Sequence, residues 1–123
     1  MAKACNDLVM DAALDYISTS TLLTVCSAQP TTYAEASSTY KLADVVTDSG
    51  DFTKANGDTN GRKVTVSQQA NVPIDSSGTA THVALSISGS STLVYVTTCT
   101  SQALTSGGTV TVPAWDVEIS DPA

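Results

Sequence analysis

His82 is the only histidine in the chain. An imidazole can act as general base towards a hydroxyl nucleophile when an acid orients it. Hydroxyls occur throughout this sequence, so spacing alone selects no partner for it. The G-x-S-x-G frame of a nucleophile elbow is absent, since Gly89-Ser90-Ser91 lacks it. His82 falls in the middle of a strand pattern, where a partly buried ring bonded to a strand neighbour is expected. Asp116 and Glu118 share one strand face, about 7 Å apart by strand geometry. Glycoside hydrolysis needs paired carboxylates across a cleft, and nothing here marks one. Their alternation with Trp115, Val117 and Ile119 makes them a solvent face.

Two other acidic sets suggest metal. Asp7, Asp11 and Asp15 recur every four residues, as one stripe of a helix would, and the expectation is a solvated face rather than a carboxylate cluster. Asn56, Asp58 and Asn60 resemble half of a calcium loop. The glycine placement differs, however, and the bidentate Glu of such a loop is missing. The run 56–61 therefore reads as a hairpin tip. Cys5, Cys26 and Cys99 are odd in number and widely spaced, with no C-x-x-C, and one histidine does not complete a zinc site of the usual spacing. Cys26 and Cys99 lie in strand-like runs and read as reduced, structural thiols. No catalytic, cofactor-binding or metal residue is assigned, and the chain is read as a non-enzyme without a cofactor.

The elements that would position these residues follow from periodicity. Asn6 or Asp7 caps a helix, and Leu8, Val9, Ala12, Ala13, Tyr16 and Ile17 form its apolar face. Met10 and Leu14 fall outside that stripe. Residues 19–27 and 42–47 read as strands. Residues 33–36 read as one helical turn, with Thr32 as cap and Glu35 three residues on. From residue 62 onward the pattern is strand after strand at roughly ten-residue intervals, separated by Gly, Ser and Asn turns. Val72 and Ile74 flank Pro73, which suggests an edge. The run 93–98 reads as a strand covered on both faces. The expected core joins Val83, Leu85 and Ile87 with Val64, Val66, Val117 and Ile119, together with Leu23 and Val25.

The fold class is therefore mainly β: a single compact antiparallel β-sandwich or barrel with an N-terminal amphipathic α-helix. One domain is expected over residues 1–123, with the helix in 1–18 and strands and turns in 19–120. A length of 123 residues suits a single core.

Composition narrows the function. Charged residues are 14 % of the chain, against roughly 25 % in an average domain, and Ser (16) and Thr (19) fill the gap. The net charge of −7 argues against nucleic-acid backbones, which are bound by clustered cations, and against anionic membranes. No run approaches signal-peptide form or the length of a membrane span, so synthesis and folding in a cytosol are expected. Six aromatic residues are sparse for a carbohydrate platform. Thr- and Ser-rich strands with few charges suit a rigid module that presents surfaces to protein partners.

Three strings carry a resemblance: Leu23-Thr24-Val25-Cys26-Ser27-Ala28-Gln29-Pro30-Thr31-Thr32-Tyr33-Ala34-Glu35-Ala36, Gly78-Thr79-Ala80-Thr81-His82-Val83-Ala84-Leu85, and Gly107-Gly108-Thr109-Val110-Thr111-Val112-Pro113-Ala114-Trp115-Asp116-Val117-Glu118-Ile119. With the N-terminal helix they resemble small virion structural proteins of tailed bacteriophages, most closely a head-decoration (cement) protein. The strings are packing motifs, so no functional residue transfers with them. The resemblance implies a protein of the virion, made in the host cytoplasm, that binds the outside of the assembled head and stabilises its lattice. The implied partners are the major capsid protein and copies of the chain itself, with a trimer favoured. Homo-oligomerisation or capsid contact would also cover the edges of the Thr-rich strands. A tail-fibre or receptor-binding module for a cell-surface glycan is the alternative, and a small hydrolase using His82 is the third reading. A helix apolar on more than one side buries more than one side. Leu8, Met10, Leu14 and Tyr16 are accordingly the candidate partner-contact residues, unless Met10 and Leu14 simply pack on the sandwich.

Overall fold

The computed structural model describes residues 6–58 and 61–119. Helix α1 (Asp7–Ser18) precedes nine strands: β1 (Leu22–Cys26), β2 (Lys41–Val46), β3 (Phe52–Asn56), β4 (Arg62–Val66), β5 (Gln69–Pro73), β6 (Gly78–Ile87), β7 (Thr92–Leu104), β8 (Thr109–Val112) and β9 (Trp115–Ile119). They form a four-stranded sheet ordered β2-β1-β6-β7, a three-stranded sheet ordered β3-β4-β9, and the pair β5-β8. All pairings are antiparallel. The fold is mainly β and sandwich-like with an N-terminal helix, and the described strands do not close into a barrel.

Asn6 caps α1, its side chain accepting the Leu8 amide at 2.8 Å, which satisfies one of the free N–H groups of the first turn. The helix is rotated from the expected setting. Met10 (2 % exposed) and Leu14 (0 %) are its buried residues, while Leu8 (75 %), Val9 (63 %) and Tyr16 (52 %) are exposed. The count of apolar positions favoured the wider stripe, but the helix buries Met10 and Leu14 instead, and burial of those two side chains outweighs any surface ion pair. Asp11 meets Arg62 of β4 at 2.8 Å and Asp15 meets Lys54 of β3 at 2.6 Å. The row Met10–Leu14 lies on the sheet, with Ile17 packed at its end.

The helix feeds directly into the central sheet. The Thr47 hydroxyl donates to the Ser20 carbonyl at 2.9 Å, the Thr21 amide to the Ser86 carbonyl at 2.9 Å, and the Thr47 amide to the Thr21 carbonyl at 3.0 Å. Strand β1 then pairs over its full length with β2 on one side and β6 on the other.

One cluster of buried side chains draws on α1 and on every described strand. Leu23, Val25, Val64, Val66, Val83, Leu85 and Val117 belong to it as expected, and Ile119 packs against it half-buried. Ile87 does not belong. It is half-buried where β6 runs into the 88–90 turn. Ala80 joins instead, although simple alternation places it on the opposite face from Val83. The register breaks between Ala80 and His82, which pair with Gln102 and Thr98, so residues 99–101 of β7 stand against Thr81 alone. Such a bulge adds local twist. The other face of β6 is covered too: Ala84 is buried with Cys26 and with Ala36 of the helical turn. Strand β7 is half-buried rather than covered on both faces, because it ends its sheet.

The helical turn at residues 33–39 closes as a π-turn over Glu35–Thr39. The Thr32 hydroxyl accepts the Glu35 amide at 3.1 Å, and the Glu35 carboxylate accepts from the Thr31 hydroxyl at 2.7 Å and its amide at 2.9 Å. These bonds, the Thr31 hydroxyl first, hold the Glu35 carboxyl below the usual carboxylate range. A depressed folded pKa contributes stability above the ordinary carboxylate value and loses it as pH falls through the depressed one. The Thr31 amide resonance should therefore titrate below the ordinary carboxylate range. In Glu35→Gln that step should vanish; its persistence would assign the titration to another group.

Candidate functional site

Most of the residues whose types suggested chemistry are tied into the scaffold. His82 is half-buried on β6, its Nδ1 bonded to the neighbouring Thr81 hydroxyl at 2.8 Å. Asp116 accepts the Thr65 hydroxyl at 2.7 Å and faces Lys63 at 3.6 Å. Glu118 accepts the Asp58 amide at 3.1 Å. These two carboxylates fasten β9 to β4 and to the β3–β4 hairpin. Among the described residues no three His, Cys, Asp or Glu side chains gather as metal ligands would. Residues 59 and 60 of the hairpin tip and Cys5 lie outside the described residues. Cys26 is buried near the Thr24 hydroxyl and the Ala36 carbonyl, and burial pushes its thiol pKa up. Cys99 is half-buried and is shifted up for the same reason.

Asp7 and Asp15 of the acidic stripe are exposed, as a solvated face requires, while Asp11 is half-buried; Asp11 and Asp15 are also ion-paired to the sheet below. Arg62 lies between Asp11 and Asn56, with its NH1 nitrogen 2.7 Å from Asn56 Oδ1. The hydrogen bond that Arg62 donates to Asp11 raises the guanidinium pKa. Sequence periodicity located the stripe, but the cations that receive it are 39 to 51 residues away along the chain, beyond the reach of any local pattern.

The four candidate partner-contact residues divide into two pairs. Met10 and Leu14 are buried against the sheets, and no partner reaches them on the folded surface. Leu8 and Tyr16 are exposed, and with Val9, Ala12 and Ala13 they form a continuous apolar strip along the outer side of α1. Because residues three and four apart are helix neighbours, these side chains adjoin.

A second feature was not foreseen from the sequence. A groove of about 580 Å³ lies between β7, at residues 97–100, and the segment 112–116 that joins β8 to β9. Val83 lies among its lining residues, and Trp115 lines one wall. The Trp115 ring stacks on Tyr95 with centroids 5.9 Å apart and planes at 23°. The Trp115 indole N–H is buried without a hydrogen-bond partner. A smaller hollow of about 220 Å³ adjoins the groove and shares Val83, Cys99 and Val112 with it. The available sequence signals were the charge-free run 92–104 and the Pro113 break before Trp115.

No described helix is long and apolar enough to cross a membrane. Comparison with protein families, curated proteins and solved structures finds no match to this chain.

Proposed function

We propose that this chain is a non-enzymatic decoration (cement) protein of a tailed-bacteriophage head, made in the host cytoplasm and carried on the capsid surface. The observation that carries this reading is the apolar strip of Leu8, Val9 and Tyr16 on a helix anchored from its other side by Met10, Leu14 and two ion pairs. A rigidly held, exposed apolar strip suits a protein-docking surface. The resemblance to phage virion proteins supplies the partner, the major capsid protein, and a homo-oligomer, with a trimer favoured. Binding only to the assembled shell would stabilise that shell by mass action.

The test combines pull-down and negative-stain imaging with mature heads. Wild-type protein is expected to bind heads, and Leu8→Asp/Tyr16→Asp to lose about tenfold or more in affinity, since buried interface anchors carry most binding energy. Thermal stability should be nearly unchanged, because both side chains are exposed. Absence from heads together with co-purification with tails would overturn the reading.

The tail-fibre or glycan-recognition reading draws on one observation, the groove in which Thr hydroxyls adjoin the Trp115 ring. A glycan array separates the two.

A further inference from the structure

Sheet edges are open templates for further strands, and folded proteins usually blunt them with charge, proline or a cover. Three edges here are treated that way. The outer edge of β2 is covered by residues 74–76: Ile74 bridges Ala43, and the Asp75 and Ser76 amides both donate to the Leu42 carbonyl. Strand β3 is short and carries Lys54, which is paired with Asp15 of α1. Strand β9 is equally short and carries Asp116 and Glu118. Strand β7 is different. It is 13 residues long, ends its sheet, and contains neither a charged residue nor a proline.

The groove lies along this edge. Its walls come from β7, the last strand of one sheet, and from the segment that enters β9, the last strand of another. The β7 bulge falls on its wall. Residues 99–101 exceed what Thr81 can pair with in the β6 ladder, so the wall is locally bent and twisted there.

Size and charge specify the occupant. A strand residue in packed sheets fills about 160 Å³, from a rise of about 3.3 Å, a strand spacing of about 4.8 Å and a layer of about 10 Å. A volume of about 580 Å³ therefore holds about four such residues. That matches the four β7 residues, 97–100, along the wall. The only charged lining residue is Asp116, whose carboxylate is already engaged by Thr65 and Lys63. A charge inserted here would meet no free counter-ion among the lining residues.

We infer that this groove receives one extended, uncharged segment of a partner polypeptide, about four residues long, which adds as a strand to β7 at residues 97–100 and bridges it towards β9. The inference gives the proposed decoration protein a second point of attachment, and it rests on that reading only for the partner being a shell subunit.

The probe is a synthetic peptide, Lys-Lys-Val-Thr-Val-Thr-Lys-Lys, whose uncharged centre fits the groove and whose flanks oppose the acidic chain. The control peptide has proline in place of both threonines, which removes ladder donors. The readouts on the full chain are amide exchange at residues 97–100 and alkylation of Cys99, mapped by mass spectrometry. Both should slow by about tenfold when the peptide exceeds its Kd by about that factor, and the control should have no effect. Ala114→Lys, on the exposed opposite wall, and Thr97→Lys, on β7, should each abolish the protection while the fold persists.

Unchanged exchange and alkylation at millimolar peptide would overturn the inference. So would protection that rises with the protein's own concentration without peptide, which would make a second copy the occupant. Protection by an N-acetyllactosamine oligosaccharide but not by the peptide would overturn it in favour of a glycan. Peptide protection in a chain that does not bind heads would leave the inference standing and remove the decoration reading. Head binding without peptide protection would do the reverse.

Discussion

Deletion of residues 1–18 is expected to leave a chain with no cooperative unfolding transition. The deletion removes Met10 and Leu14, which are 2 % and 0 % exposed. Truncation of a buried Met or Leu to Ala alone costs about 2–5 kcal/mol. Loss of both side chains, with the helix backbone that covers β3 and β4, approaches the about 5–15 kcal/mol by which whole domains are stable. Lys54 and Arg62 would also lose the carboxylates of Asp15 and Asp11. Thermal scans by near-ultraviolet circular dichroism provide the check. A sharp transition within a few degrees of the full chain would show that α1 is an appendage and that its buried row matters little. The same expectation explains why the docking role of α1 is tested with exposed point substitutions: a deletion would confound loss of contact with loss of fold.

Leu85→Ala should lower stability by about 2–5 kcal/mol, the range for a buried leucine truncation. Leu85 is fully buried on β6, opposite Leu23 of β1 and Tyr95 of β7, so neither neighbouring strand can readily move in to fill the space. For a chain of this size the fall in Tm should be on the order of 10–20 °C. Ile87→Ala, two residues along the same strand, should cost less than half as much, because Ile87 is half-buried and outside the core cluster. Urea unfolding of the two variants side by side decides the matter. A loss below about 1 kcal/mol for Leu85→Ala would mean that the packed face of β6 has been misassigned.

The strands were legible because their signals are local. Alternation placed Val64 and Val66 inward, and both are fully buried. The turn residues Asp48-Ser49-Gly50-Asp51, Gly89-Ser90 and Ser106-Gly107-Gly108 all fall at breaks between strands, although the second turn begins one residue earlier, at Ser88. The capping of α1 by Asn6 and of the 33–39 turn by Thr32 was likewise readable from side chains within a few residues. What was not legible depends on distant partners. The rotation of α1 follows from where the sheets take up Met10 and Leu14, which no local count reveals, so counting apolar positions selected a face that is exposed. The place of Ala80 in the core depends on a bulge in β7, whose register nothing in β6 announces. The groove exists because β7 and β9 end different sheets and do not pair with each other, a property of strand order rather than of any segment.

The passage from α1 into β1 has a mechanical consequence. A tug on the outer side of the helix would travel through Ser20 and Thr21, both clamped by bonds from neighbouring strands, into a strand flanked on both sides along all five of its residues. A pull along that strand loads both of its ladders in shear, with the bonds strained together. They do not open one at a time from an end, as a peeled edge strand would. The element that presents the apolar strip is thus spliced to a strand held by ladders on both sides, so tension at the attachment point would be spread across the sheet before any single contact gives way.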